Sequence, residues 1–108
     1  MLSDFDIWKK LELRLGSREQ IAAVAGLSAR QVSEAHARFV GELAKLSPFS
    51  VRVARILLVE LGISPADLRR PAVLAGYVGE LDSLPRLGKT GKAEILAFVA
   101  PPSLAAAA

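Results

Sequence analysis

The sequence predicts an all-α protein, on three observations. Serine repeatedly stands at the start of an apolar pattern of helical spacing, at Ser3, Ser17, Ser28, Ser50 and Ser64, where its hydroxyl can cap the unpaired N–H groups of a first turn. Glycine or proline punctuates the chain between those patterns, at Gly16, Gly26, Pro48, Gly62, Pro71 and Pro85. No stretch alternates apolar and polar residues as a half-buried strand does, and no internal repeat recurs.

The first helix opens at Ser3, with Asp4 and Asp6 in the turn where the helix dipole favours negative charge, and Gly16 is expected to close it. Ile7, Trp8, Leu11 and Leu15 fall at helical spacing, with Trp8 as the core anchor. Lys9, Lys10 and Arg14 then lie on the outer side, where they either touch backbone phosphate or keep the helix solvated. Two further helix starts follow, because Ser17 with Gln20 and Ser28 with Gln31 each set a hydroxyl three residues before an amide, the reciprocal capping arrangement. Between them Gly26 can take the left-handed conformation that ends one helix and turns the chain, and Leu27 plugs the corner. Ile21, Ala22, Ala25, Leu27, Val32 and Ala35 are the inward positions; small Ala22 lets the two helices cross closely. The second of this pair runs from Ala29 to about Leu46, and Phe39, Val40 and Leu43 extend its apolar face so that it links the two halves rigidly. His36 is expected on its outward side as a surface polar group.

Ser47-Pro48-Phe49-Ser50 marks the boundary between units at 1–46 and 47–100. Ser50 caps a helix from Val51 to Leu61, ended by Gly62, with Val53, Ile56, Leu57 and also Val59 and Leu61 as its buried side. Ser64-Pro65-Ala66-Asp67 starts a short helix that Pro71 limits, and Pro71 to Tyr77 forms another. Asp82 to Pro85 leads into a glycine-rich turn, after which Thr90 or Gly91 to Val99 makes the last helix, with Ile95, Leu96 and Phe98 inward. Residues 101–108, two prolines followed by Ser103, Leu104 and four alanines, are expected to be a disordered tail.

Composition narrows the chemistry. The 108 residues suffice for one domain or two very small ones that share packing. No run approaches the roughly 18 to 20 apolar residues of a membrane span, and no signal-peptide layout opens the chain. A soluble, cytoplasmic, nucleoid-associated protein with no membrane partner is expected. With no cysteine and one histidine, neither a thiolate site nor a structural metal is expected, and no cofactor is implied. A formal net charge of +3 suits a polyanionic partner. Acidic Asp4, Asp6, Glu12 and Glu19 sit near the start, whereas Arg52, Arg55, Arg69, Arg70, Arg86, Lys89 and Lys92 dominate the second half.

The segment from Ser17 to Arg38 resembles a helix-turn-helix of the DNA-binding kind. The likeness rests on Ala22, Gly26 four residues later and Val32 six after that, with the core positions between them apolar. It implies that the second helix enters the major groove N-terminus first, with Ser28, Arg30, Gln31, Ser33, Glu34 and Arg38 outward. Arg30 suits guanine, Gln31 adenine, Glu34 cytosine and Ser28 a phosphate, although Gln31 cannot cap and read a base at once. The plainer alternative is a tight helical hairpin whose polar residues form a solvated face.

Residues from about Leu46 to Ala100 resemble a helix-hairpin-helix element and, more closely, the C-terminal domain of the bacterial RNA polymerase alpha subunit, which suggests a bacterial or phage source. The likeness lies in Ser50 to Leu57 (SVRVARIL), Leu61-Gly62-Ile63, and Leu84-Pro85-Arg86-Leu87-Gly88-Lys89 with Glu94-Ile95 behind. It implies that Arg52 reaches into the minor groove while Gly88, Lys89, Thr90 and Gly91 bring backbone against phosphate; Arg55 and Lys92 extend the basic surface. Departures stand at Arg55, where an asparagine is usual, at Thr90 and Gly91, where a lysine and a serine are usual, and in a longer connection between Ile63 and Leu84. As a purely structural element, the glycine turn would be a compact corner.

Together these features predict a sequence-specific DNA-binding protein, a small transcriptional regulator using double-stranded DNA. One helix-turn-helix covers few base pairs, so the second contact, a homodimer, or both are needed. The competing reading is a protein-interaction module that docks on RNA polymerase or another transcription protein with weak or no DNA binding. An enzyme is not expected: no histidine is paired with a nucleophile and no carboxylate set shares a face. Gly88-Lys89-Thr90 ends like a phosphate-binding P-loop, but Ser83 occupies the position of that motif's first glycine and no strand precedes it.

Overall fold

The computed structural model describes residues 2–100. It is all-helical, with no strand among the described residues: α1 (Asp4–Glu12), α2 (Arg18–Ala25), α3 (Ala29–Leu46), α4 (Val51–Glu60), α5 (Pro71–Ala75) and α6 (Gly88–Val99), with 3₁₀ segments at Pro65–Arg69, Val78–Ser83 and Pro85–Leu87. The chain divides into two compact units, Met1–Lys45 and Leu46–Ala108. The expected disordered tail lies outside the described residues, and no described helix is long and apolar enough to cross a membrane.

Local hydrogen bonding starts the helices of the first unit. Ser3 and Asp6, Ser17 and Gln20, and Ser28 and Gln31 each form a reciprocal cap. The Ser3 backbone and hydroxyl donors on Asp6, with lesser help from Lys10 and Lys9, hold its carboxyl below the usual carboxylate range. Ile7, Ile21, Ala22, Val32 and Ala35 form a buried cluster, against which Leu2, Leu11 and Leu27 pack. Beside it Trp8 lies with its ring 4.9 Å from Phe39, and Phe5 is 5.3 Å from Phe39, centroid to centroid. Trp8 is fully buried, as an anchor should be, although its indole N–H finds no acceptor among the described residues.

Two expectations for this unit need correction. The first helix does not run to Gly16: it ends at Glu12, with Arg14 in the left-handed region at φ +55°. The Leu15 N–H donates to Lys10 O at 2.9 Å and the Arg14 N–H to Leu11 O at 3.2 Å, the paired bonds of a Schellman end. An arginine therefore takes the place usual for glycine, and Leu15 leaves the buried stripe, 64% exposed. His36 is not a freely solvated group; it is half-buried, with Nε2 3.4 Å from Glu12 Oε1 on α1.

In the second unit α4 buries more than one stripe: Val53, Ala54, Ile56, Leu57 and Leu58 are all buried, whereas Val59 and Leu61 are only half so. The same unit also buries Phe49, Ile63, Leu68, Leu74, Leu81, Leu84, Leu87 and Ile95, supplied largely by the short segments. Ser50 caps α4 through the Val53 N–H, and Glu94 of α6 accepts from the Ser50 N–H at 3.1 Å. The helix expected over Pro71 to Tyr77 stops at Ala75 and continues as 3₁₀ turns. The last helix begins at Gly88, before the expected Thr90 or Gly91; Ile95 is inward, Phe98 meets Phe49 edge-on at 5.1 Å, and Leu96 is 38% exposed.

Candidate nucleic-acid interface

Two local arrangements hold the residues singled out above, one in each unit. In the first, α2 and α3 are joined by Gly26, Leu27 and Ser28, with Gly26 at φ +71° and its N–H on Ala22 O. Leu27 closes the corner from inside through its N–H to Ala22 O at 2.9 Å. The small residue at 22 and the glycine at 26 are thus joined by the hydrogen bonds that end α2. Beyond the corner Ser28, Arg30, Gln31, Glu34 and Arg38 are exposed and Ser33 is half-buried, while Val32 and Ala35 face inward.

Most of those outward groups already have partners. Gln31 Oε1 accepts from the Ser28 N–H at 2.9 Å, so this amide oxygen serves the cap rather than a base. Arg30 and Glu34 form an i,i+4 pair at 3.2 Å; the Arg30 side chain is 89% exposed, and such a pair costs little to separate. Arg38 is held differently. Its Nε and Nη2 donate to the two carboxylate oxygens of Asp4 at 3.0 and 3.1 Å, which fastens α3 to α1. The Arg38 hydrogen bond, with the guanidinium charge behind it, holds the Asp4 carboxyl below its usual range, and the same bond raises Arg38. Arg30 and Glu34 are thus exposed and held by each other through a surface pair, with the Glu34 charge also acting on Arg38.

The second arrangement is the turn at Pro85–Leu87 and the start of α6. Gly88 has φ +67° and ψ 177°, a region open in practice only to glycine. α6 has no side-chain cap, in contrast to α1, α2 and α4, so its first N–H groups form the partially positive end of a helix dipole. Lys89 and Thr90 are exposed there, and neither Arg86 nor Lys89 has a carboxylate within ion-pair distance among the described residues. Lys92 is paired with Asp82. Gly91 is buried, and a Cβ added to it would lie 3.0 Å from Leu87 Cδ1 and 3.2 Å from Val53 Cγ2. A glycine here therefore permits close packing of α6 on α4.

Arg52 is exposed, and its Nη1 donates to Arg86 O at 2.6 Å and Leu87 O at 3.2 Å. The guanidinium thereby ties α4 to the turn before Gly88. Arg55 lies exposed one turn further along α4. The sequence reading missed the roles of Asp4, Asp82 and the two turn carbonyls, which bind three of the basic residues it selected. No local spacing announces them, since Arg38 and Asp4 are 34 residues apart, as are Arg52 and Arg86. No group of three or more His, Cys, Asp or Glu among the described residues is placed to hold a metal ion. No protein-family model, curated protein or solved structure matches the chain.

Proposed function

We propose that this protein is a sequence-specific DNA-binding protein, a small regulator of transcription that places the N-terminal half of α3 in the major groove. The observation that carries the reading is the three-residue corner at Gly26, which starts α3 with Arg30 and Glu34 exposed while Val32 and Ala35 lock the opposite face into the core. Such a helix presents a rigid row of side chains to base edges, and Arg30 leaves a weak surface pair to reach guanine. The uncapped start of α6, with Arg86 and Lys89 beside it, supplies a phosphate contact. Arg52 keeps that turn in shape through Nη1 and offers its remaining donors to the DNA backbone or minor groove.

The test is a titration with a pool of random short duplexes at two salt concentrations, comparing wild type with Arg30→Ala and Lys89→Ala. An enriched motif whose specificity is relaxed in Arg30→Ala, with a sequence-independent loss and a shallower salt slope in Lys89→Ala, supports the reading. Folded wild type that shows no salt-sensitive binding refutes it.

A further inference from the structure

The end of α1 carries a feature outside the DNA contacts proposed above, and its role rests on that reading only for the control measurement. Leu2, Asp6, Lys9, Lys10, Leu13 and Leu15 line a surface groove of about 340 Å³. Leu13 and Leu15 are 40% and 64% exposed, so two leucines of one segment stand side by side in water. Isolated exposed leucines are ordinary, whereas adjoining ones around a concavity mark interaction surfaces. The exposure of Leu15 goes with the helix ending at Glu12 and Arg14 taking a left-handed conformation, which an arginine adopts with more strain than a glycine would. That ending turns Leu15 away from the core.

The rim decides the kind of partner. Lys9, Lys10 and the neighbouring Arg14 have no carboxylate within ion-pair distance among the described residues, and Lys9 Nζ rests 5.7 Å from the Phe5 ring centroid. The one acidic lining residue, Asp6, accepts from the Ser3 N–H and hydroxyl at 3.1 and 2.9 Å and offsets only part of the charge of Lys9 and Lys10, so the rim stays net positive. An apolar floor with a positive rim complements an apolar ridge with negative flanks. A phosphate backbone would satisfy the lysines but leave Leu13 and Leu15 in water.

We propose that this groove docks an acidic amphipathic helix of a partner protein, with leucine-sized side chains on Leu2, Leu13 and Leu15 and aspartate or glutamate beside Lys9 and Lys10. None of the α3 residues assigned to DNA lines this groove. This is a helix-in-groove mode, in which apolar anchors give affinity and charge gives selectivity.

The experiment selects a displayed library of random helical peptides on the full-length protein, then measures the enriched peptides by fluorescence anisotropy. Leu15→Ser and the double variant Lys9→Glu/Lys10→Glu are compared with wild type, with circular dichroism confirming that each is folded and a duplex titration run alongside. The expected result is enrichment of peptides with apolar residues at i, i+3 or i+4 and acidic neighbours, about tenfold weaker binding to each variant, and duplex binding unchanged in Leu15→Ser. The proposal is overturned by no enrichment, by enrichment of basic peptides, or by peptide binding that Leu15→Ser leaves intact. It is equally overturned if the wild type is a dimer that Leu15→Ser dissociates, since the occupant is then a second copy. Loss of duplex binding in the charge-reversed variant would assign the lysines to DNA instead and also overturn it.

Discussion

Arg38 grips both carboxylate oxygens of Asp4, at 3.0 and 3.1 Å, across 34 residues of sequence. A group that resembles a base-reading arginine by position is thereby the fastening between α1 and α3. The Asp4 carboxyl sits below its ordinary value of 3.8 because of this bond. A depressed carboxylate contributes stability that is complete above the unfolded value and is lost as pH falls through the folded one. Arg38→Gln and Asp4→Asn should each lower the melting temperature at neutral pH, and the deficit should vanish in acid, well below 3.8. Their effects should not add in the double variant, because both remove one interaction. Melting curves over that pH range provide the check.

Gly26 and Gly41 should respond oppositely to alanine. Gly26 has φ +71°, and although a Cβ there meets nothing within 4 Å, the left-handed backbone itself disfavours a side chain. Gly41 is exposed inside α3 and a Cβ there also meets nothing within 4 Å, so alanine gains helix propensity without a clash. Gly26→Ala should destabilise by about 1 to 2 kcal/mol, and Gly41→Ala should stabilise by about 0.5 to 1 kcal/mol. Urea unfolding with unchanged slope measures both.

At the second turn, Gly88→Ala and Gly91→Ala separate backbone strain from packing. Gly88→Ala should cost about 1 to 3 kcal/mol through conformation alone, since open space surrounds the site. Gly91→Ala presses a methyl against Leu87 and Val53, and overpacking of about 1 to 3 kcal/mol is partly offset by the gain of about 1 kcal/mol in helix propensity. Trimming the neighbour with Val53→Ala should shrink the penalty of Gly91→Ala and leave that of Gly88→Ala unchanged. A double-mutant cycle decides it.

Arg52 joins a structural bond to a proposed contact, and two substitutions separate them. Arg52→Lys keeps a charge but loses the forked geometry that reaches Arg86 O and Leu87 O together. If the arginine acts mainly by bracing the turn, Arg52→Lys and Arg52→Ala should weaken duplex binding alike, and both should raise amide exchange at Gly88, Lys89 and Thr90. If charge alone matters, the lysine variant should retain most of the binding. Hydrogen exchange and the duplex titration together distinguish these results.

The sequence by itself determined the all-α class, the serine-capped helix starts at Ser3, Ser17, Ser28 and Ser50 and the corner at Gly26, because those depend on hydrogen bonds and backbone torsions spanning three or four residues. Ser17 with Gln20 and Ser28 with Gln31 close within one turn, and the Arg30–Glu34 pair was equally open to reading from its spacing. The tertiary structure alone decided which polar groups were left for a partner. Arg38 met Asp4, Arg52 met the turn carbonyls, Lys92 met Asp82 and Gly91 went inside. It also decided the early end of α1 at Glu12, with Arg14 left-handed, which took Leu15 out of the buried stripe. Those outcomes depend on which surfaces the packed helices bring together, and a charge or a glycine carries no local mark of the neighbour it will meet.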